Sequence, residues 1–159
     1  MLYVRELSML PFPHPFWELC TPPIIPKPSH VYILKGDPIA MARPRFGRGH
    51  VYDAQAALKL VLGIDLRNQH AHLPPYKGPL ELQAKFFITI PARLGKKKRP
   101  LYQDQPALLK PDLDNFLKWV CDLGQQAGLY ENDLQICRIL SEKVYTADNP
   151  RTEFVLLEL

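Results

Sequence analysis

Cysteine is scarce in this chain and badly spaced for structural use. Cys20, Cys121 and Cys137 are odd in number and form no CxxC pair, which excludes both a disulfide framework and a thiolate metal knuckle. Each is read as a small buried hydrophobe or a reduced thiol. Long apolar runs are missing too. A membrane helix needs about 20 successive apolar residues, whereas Arg5, Glu18, Lys27 and Lys35 interrupt the early hydrophobic stretches, so no membrane partner is expected. A secretory leader is excluded on similar grounds, because Pro11, Pro13, His14 and Pro15 break any helical segment between Leu7 and Leu19. These absences predict a soluble, intracellular, cytoplasmic protein. His70 and His72 form an HxH pair, but they stand in a polar stretch before Pro74-Pro75 and are read as part of a solvated loop. Net charge is also small: 20 Lys and Arg stand against 16 Asp and Glu, leaving +4.

Proline is abundant, and it divides the chain. Seven of the 17 prolines lie between Pro11 and Pro28, a segment with no sustained helical or strand period. Proline removes backbone donors, so residues 1–29 are expected to form an arm or extension, with Phe12, Phe16 and Trp17 as anchors. Residues 30–159 then form one compact domain, a normal size for a single core.

Within that domain, Val31-Tyr32-Ile33-Leu34 reads as a short buried strand. Residues 53–69 read as a helix with Asp53 at its N-cap, since Ala and Leu recur at helical spacing. Alternation from Leu80 to Ile90 predicts a strand closed by Pro91, followed by a long loop over residues 92–109 that contains Lys96, Lys97, Lys98 and Arg99. A second helix starts at or just after Pro111-Asp112, because Leu113, Phe116, Leu117, Val120, Leu123 and Ala127 share a face and Gly128 supplies the stop. Residues 134–145 and 152–159 read as two strands joined by Asp148-Asn149-Pro150 as a terminal hairpin. The order β, α, β, α, β, β predicts an α+β domain with a small mixed sheet packed by two main helices.

The chemistry is concentrated around Lys110-Pro111-Asp112-Leu113-Asp114-Asn115. Inside a regular helix Asp112 and Asp114 would point about 200° apart, so they converge only if Asp112 occupies the non-helical first position. Ordinary capping by aspartate explains part of this pattern. Lys118 lies four residues after Asp114, on the same face, where a plain surface ion pair is the simplest reading. A third acidic cluster, Glu131-Asn132-Asp133, follows after a short return. If three carboxylates meet, each like-charge pair at 4 Å costs roughly 4 kcal/mol at an effective dielectric of 20, unless a cation lies between them. Oxygen ligands of this kind suit Mg²⁺, with Mn²⁺ as a substitute, and such an ion in a protein with basic segments points to phosphodiester hydrolysis.

Several ordered motifs then resemble one family, the RusA-type endodeoxyribonucleases, which resolve Holliday junctions in bacteria and their phages. They are Gly36-Asp37-Pro38-Ile39 with Ala42-Arg43-Pro44-Arg45-Phe46, then Val51-Tyr52-Asp53, Lys110 to Asn115 with Lys118, Tyr130 to Ile136, and Glu142-Lys143. The resemblance covers about residues 31–159. It implies that Asp112, Asp114 and Asp133 are the metal-binding and catalytic carboxylates, that Lys118 is the essential basic catalytic residue beside them, and that the protein works as a homodimer on four-way DNA. Asn132 departs from the pattern, since many members carry aspartate there.

The basic residues must be concentrated if so small a net charge is to hold DNA. Arg43 and Arg45 are expected DNA contacts by the resemblance, and Lys96, Lys97 and Lys98 could reach phosphates from their loop. Lys143 lies some ~33 Å along a continuous strand from Asp133, which predicts a DNA contact away from the metal site. Two other functions fit the same residues: a nuclease acting on flaps or forks, and a catalytically weak junction-binding protein.

Overall fold

The computed structural model describes residues 30–42, 45–47 and 49–159; the Pro-rich arm, Arg43, Pro44 and Arg48 lie outside the described residues. Six strands and three α-helices follow in the order β1 (Tyr32–Lys35), β2 (Arg45–Gly47), β3 (His50–Tyr52), α1 (Ala56–Gln69), β4 (Leu80–Thr89), α2 (Gly95–Tyr102), α3 (Leu113–Ala127), β5 (Ile136–Thr146) and β6 (Arg151–Glu158). Four strands make an open mixed sheet in the order β1-β6-β4-β5, while β2 and β3 form a separate antiparallel ribbon. The α+β expectation holds.

The expected terminal hairpin does not form. β4 lies between the last two strands, parallel to β5 and antiparallel to β6, so residues 147–150 step across the end of β4 rather than turning back on a neighbour. Turn residues at 148–150 announce a reversal, but they do not say which strand fills the gap.

One face of the sheet carries the core. Tyr32, Leu34, Leu82, Ala84, Phe86, Phe154 and Leu156 alternate inward from the strands and meet Leu66 of α1 and Phe116, Val120 and Leu123 of α3. Phe86 stacks on Phe116 with ring centroids 5.1 Å apart, which fixes the start of α3 over the middle of β4. Gly128, at φ 76°, ends α3 in the left-handed conformation that glycine adopts without strain. Gly124 is needed for a different reason: a Cβ there would stand 2.8 Å from the Tyr130 hydroxyl, which donates to the Cys121 carbonyl at 2.7 Å.

Two other expectations need correction. The helix read from residue 53 starts at Ala56, with Gln55 before it; Asp53 instead accepts the Gln55 N–H at 2.8 Å and pairs with Lys59 at 3.0 Å. The run from Lys96 to Arg99 is not loop but part of α2, after a single 3-10 turn at Ala92–Leu94. A small second core of Ile90, Ala107 and Tyr145, joined by Leu94, Tyr102 and Leu109, holds this helix down. Gly95 and Pro100 hid it, because both punctuate a sequence as loops do.

His70 is likewise no loop residue. It is buried at the end of α1, with Nδ1 hydrogen bonded to the Tyr32 hydroxyl at 2.7 Å.

β5 differs along its length. At its far end residues 104–107 pair with it: Asp104 N–H donates to the Tyr145 carbonyl, Tyr145 N–H to the Gln105 carbonyl and Ala107 N–H to the Lys143 carbonyl. From Ile136 to Glu142 the edge has no strand beside it among the described residues. No helix of the described chain is long and apolar enough to cross a membrane.

Candidate active site

Asp112 stands at the N-cap of α3 with extended backbone (φ −72°, ψ 153°), as its spacing to Asp114 requires. Its carboxylate makes no capping bond to the helix, so the side chain is free for another role. Asp114, one residue into α3, accepts from Lys118 Nζ at 3.0 Å across one turn. That hydrogen bond holds the Asp114 carboxyl below the usual carboxylate range. All three side chains are exposed, so a large polymer can reach them directly.

The segment leading to Asp112 is held by Lys143. Its Nζ donates to the carbonyls of Leu109 at 2.6 Å and Pro111 at 3.0 Å, the residue immediately before Asp112. Distance along the strand does separate Lys143 from Asp133, yet the chain between β4 and α3 returns to Lys143 and brings Asp112 beside it. A one-dimensional count of strand residues could not show this. Lys143, expected from the sequence to reach DNA, thus also makes bonds within the fold.

A second tether reaches the same end of α3. Met41 N–H donates to the Asn115 carbonyl at 2.9 Å, and the Gln55 side chain grips residues 40–42 by accepting from Ala42 N–H at 2.8 Å and donating to the Ala40 carbonyl at 2.9 Å. This holds residues 40–42 against the start of α3. Arg45 lies exposed on β2, while Arg43 is outside the described residues. Lys97 and Lys98 are exposed on α2, Lys96 belongs to the same helix, and Arg99 is turned inward to the Ile90 carbonyl at 3.0 Å.

Sequence reasoning passed over Lys59. It bridges α1 to α3 by pairing with Asp53 at 3.0 Å and Asp122 at 3.3 Å, and it lies 5.5 Å from the Trp119 ring centre. Burial alone would lower its pKa, but the two carboxylates outweigh that and raise it. Its place four residues into an apolar helix was the available signal.

Asp133 lies elsewhere. It opens a 3-10 turn, Asp133–Gln135, at the beginning of β5, near enough to Cys121 and Tyr130 for its charge to add to the rise that burial imposes on both. The Cys121 thiol is pushed up to about 11. Asn132 caps this turn: its side chain accepts from Leu134 N–H at 2.9 Å, while Gln135 accepts from the N–H groups of Glu131 and Asn132. Gln135 also donates to the carbonyls of Tyr76 and Gly78, anchoring the turn to the strand beside it. Asparagine and aspartate cap equally well, so the departure at residue 132 leaves this local structure intact.

The three aspartates therefore occupy two places. From Asp112 to the level of Cys121 the helix rises about 13 Å. Among the described residues, no three Asp, Glu, His or Cys side chains gather where they could hold a metal ion. Residues 35–156 match the family model of the endodeoxyribonuclease RusA. No curated protein matches the chain.

Proposed function

The chain belongs to the RusA endodeoxyribonuclease family, and from that premise we propose that it is a structure-selective endodeoxyribonuclease that resolves four-way DNA junctions by paired, symmetric cuts. The observation that supports this most directly is the start of α3. There an uncommitted carboxylate, Asp112, stands beside the Asp114–Lys118 pair, on an exposed surface at the end of α3 to which Met41 is tied.

The chemistry follows from charge. Lys118 is fixed by Asp114 and offers an ammonium to a non-bridging phosphate oxygen, where negative charge grows as the phosphodiester is attacked. The carboxylates Asp112 and Asp114 can orient a water or accept its proton. Mg²⁺, or Mn²⁺ in its place, remains the proposed cofactor, held by Asp112, Asp114 and Asp133, and it would supply electrophilic activation of phosphate and water. Because one chain does not bring the three together, the metal requirement needs its own test. Arg43, Arg45, Lys96, Lys97 and Lys98 are proposed to bind the DNA backbone, so affinity falls steeply as salt rises. The site of action is proposed to be the cytoplasm of a bacterium or of a phage-infected cell.

A labelled mobile junction and a matched linear duplex, each with and without Mg²⁺, provide the test. Wild-type protein is expected to make symmetric cuts in the junction alone, and only with the metal. Asp114→Asn should bind the junction at least as tightly and cut on the order of a hundredfold more slowly or worse, through lost transition-state stabilisation. Binding without cutting by the wild-type chain would favour a junction-binding protein, and preferential cutting of flaps or forks would redirect the substrate.

A further inference from the structure

We infer that the β2–β3 ribbon is a branch-point probe, whose Phe46 ring enters the interrupted base stack of a DNA junction and stacks on a base there. This rests on the functional reading above and adds to it the feature of branched DNA that the protein recognises.

The ribbon stands apart from the main sheet. β2 and β3 pair with each other and, among the described residues, with no strand of the four-stranded sheet. A two-stranded ribbon is marginal by itself, so its two feet must hold it. At the first foot Gln55 grips residues 40–42, and Met41 N–H donates to the Asn115 carbonyl at 2.9 Å. At the second, Asp53 follows β3 and pairs with Lys59 at 3.0 Å, while Lys59 also reaches Asp122 of α3 at 3.3 Å. Both feet are thereby fastened to the helix whose start bears Asp112 and Asp114. Five residues separate Phe46 from Met41, so its backbone stands at most about 18 Å from that tether. This is about the length of five base-pair steps, so ring and carboxylates address neighbouring parts of one branch.

The side chains of the ribbon are unlike those elsewhere. Among the described residues the exposed aromatic side chains are Phe46, at 75%, and Tyr52, at 43%, and both lie on this ribbon; every other described phenylalanine is buried. A single exposed ring is ordinary on a protein surface, but its charged surroundings here are not. Residues 42–52 contain Arg43, Arg45 and Arg48 and no acidic residue, three positive charges in a chain whose net charge is +4. Such a segment repels a second copy of itself and attracts phosphate. The register sets Arg45 opposite Tyr52 and Phe46 opposite Val51. Directly opposed residues share a face, so Arg45 and Tyr52 project from one side of the ribbon and Phe46 from the other. One side can then hold the DNA backbone while the ring meets the bases.

Branched DNA supplies what the ring lacks. Wedging an apolar side chain between the bases of an intact duplex costs the unstacking of a step, whereas at a branch point the stack is already interrupted. Stacking of one base on an aromatic ring is worth about a five- to hundredfold in affinity. Phe46 therefore supplies the preference for branched over linear DNA, and the arginines supply the attraction common to both.

The test uses the full chain carrying Asp114→Asn, so that the DNA stays uncut, with a fixed four-way junction and a linear duplex of the same sequence, each labelled for anisotropy. Phe46→Ala is expected to weaken junction binding about tenfold and duplex binding less than twofold, and Phe46→Trp to restore the difference. Arg45→Ala should weaken both alike and lower the salt slope by about one. In a Trp17→Phe background, the indole introduced by Phe46→Trp should be quenched by the junction and far less by the duplex. The melting temperature of Phe46→Ala should match that of its parent, since the ring is exposed.

Equal losses on the two DNAs, no loss on either, or a lowered melting temperature in Phe46→Ala would overturn the proposal. So would a dimer of the parent chain that Phe46→Ala converts to monomer in sedimentation, because the ring would then lie against a second copy. A junction-selective loss in Phe46→Ala, beside a wild-type chain that cuts no DNA with Mg²⁺, would leave the probe standing and remove the nuclease reading. Junction cutting that Phe46→Ala leaves equally fast and equally selective would do the reverse.

Discussion

The two places that hold the aspartates are built by opposite means. At the Asp112 end, long-range bonds do the positioning: Lys143 reaches from β5 to the carbonyls before Asp112, and Met41 reaches from beyond β1 to Asn115. At the Asp133 end, neighbours position one another, as Asn132 caps Leu134 and Gln135 caps Glu131 and Asn132 within five residues. A locally built turn keeps its shape wherever the chain carries it, whereas the Asp112 end exists only in the assembled domain.

Breaking the long-range side should have the larger effect. Lys143→Met keeps the length of the side chain but loses two hydrogen bonds from a charged donor, and should cost about 1.5–3 kcal/mol in denaturant unfolding. Junction cutting should fall more than junction binding, since Asp112 is displaced while the exposed basic residues remain. Equal losses in both would show that Lys143 itself touches DNA.

Breaking the local side should cost less. Asn132→Ala removes the cap and should lower stability by about 1 kcal/mol, while Asn132→Asp should stay within a few tenths. Thermal or urea unfolding of the two variants separates them. If both lose equally, the amide of Asn132 has a task that a carboxylate cannot perform.

The smallest effect sharpens the comparison by pH. His70 lies on the Asp133 side, linked through Tyr32 to Tyr76, whose carbonyl accepts from Gln135. Burial holds the His70 imidazole below its ordinary range, against a Pro74 carbonyl that favours the charged form. The unfolded chain, with histidine near ~6.5, then binds more protons than the folded one, so stability declines as pH falls from that value toward the lower folded pKa and levels off beyond it. Melting temperatures between neutral and mildly acid pH should follow this course, and His70→Gln should flatten it. An unchanged slope in the variant would assign the dependence to other groups.

Much of this was legible in the sequence where one element decides the outcome. The apolar face of α3, its Gly128 stop and the extended position of Asp112 all follow from spacing within a single helix. β4 was equally plain from its alternation. What stayed hidden depends on partners distant in sequence. Nothing near residues 148–150 reveals that β4 separates β5 from β6, and nothing near Lys143 reveals that Pro111 returns to it. His70 looked solvated because its neighbours are polar, yet Tyr32, far earlier in the chain, buries it. The motif residues themselves were visible, but where Asp133 lies relative to Asp112 depends on contacts distant in sequence, to which periodicity does not speak.

Gly124 gives the α3 return a mechanical tolerance close to zero. With the Tyr130 hydroxyl only 2.8 Å from where a Cβ would stand, the helix and the residues that follow it mesh like a gear and its pawl. Any side chain at residue 124 would act as a shim, forcing Tyr130 outward and carrying the Asp133 turn with it. The missing methyl group thus calibrates how far one carboxylate is presented from the helix that bears the others.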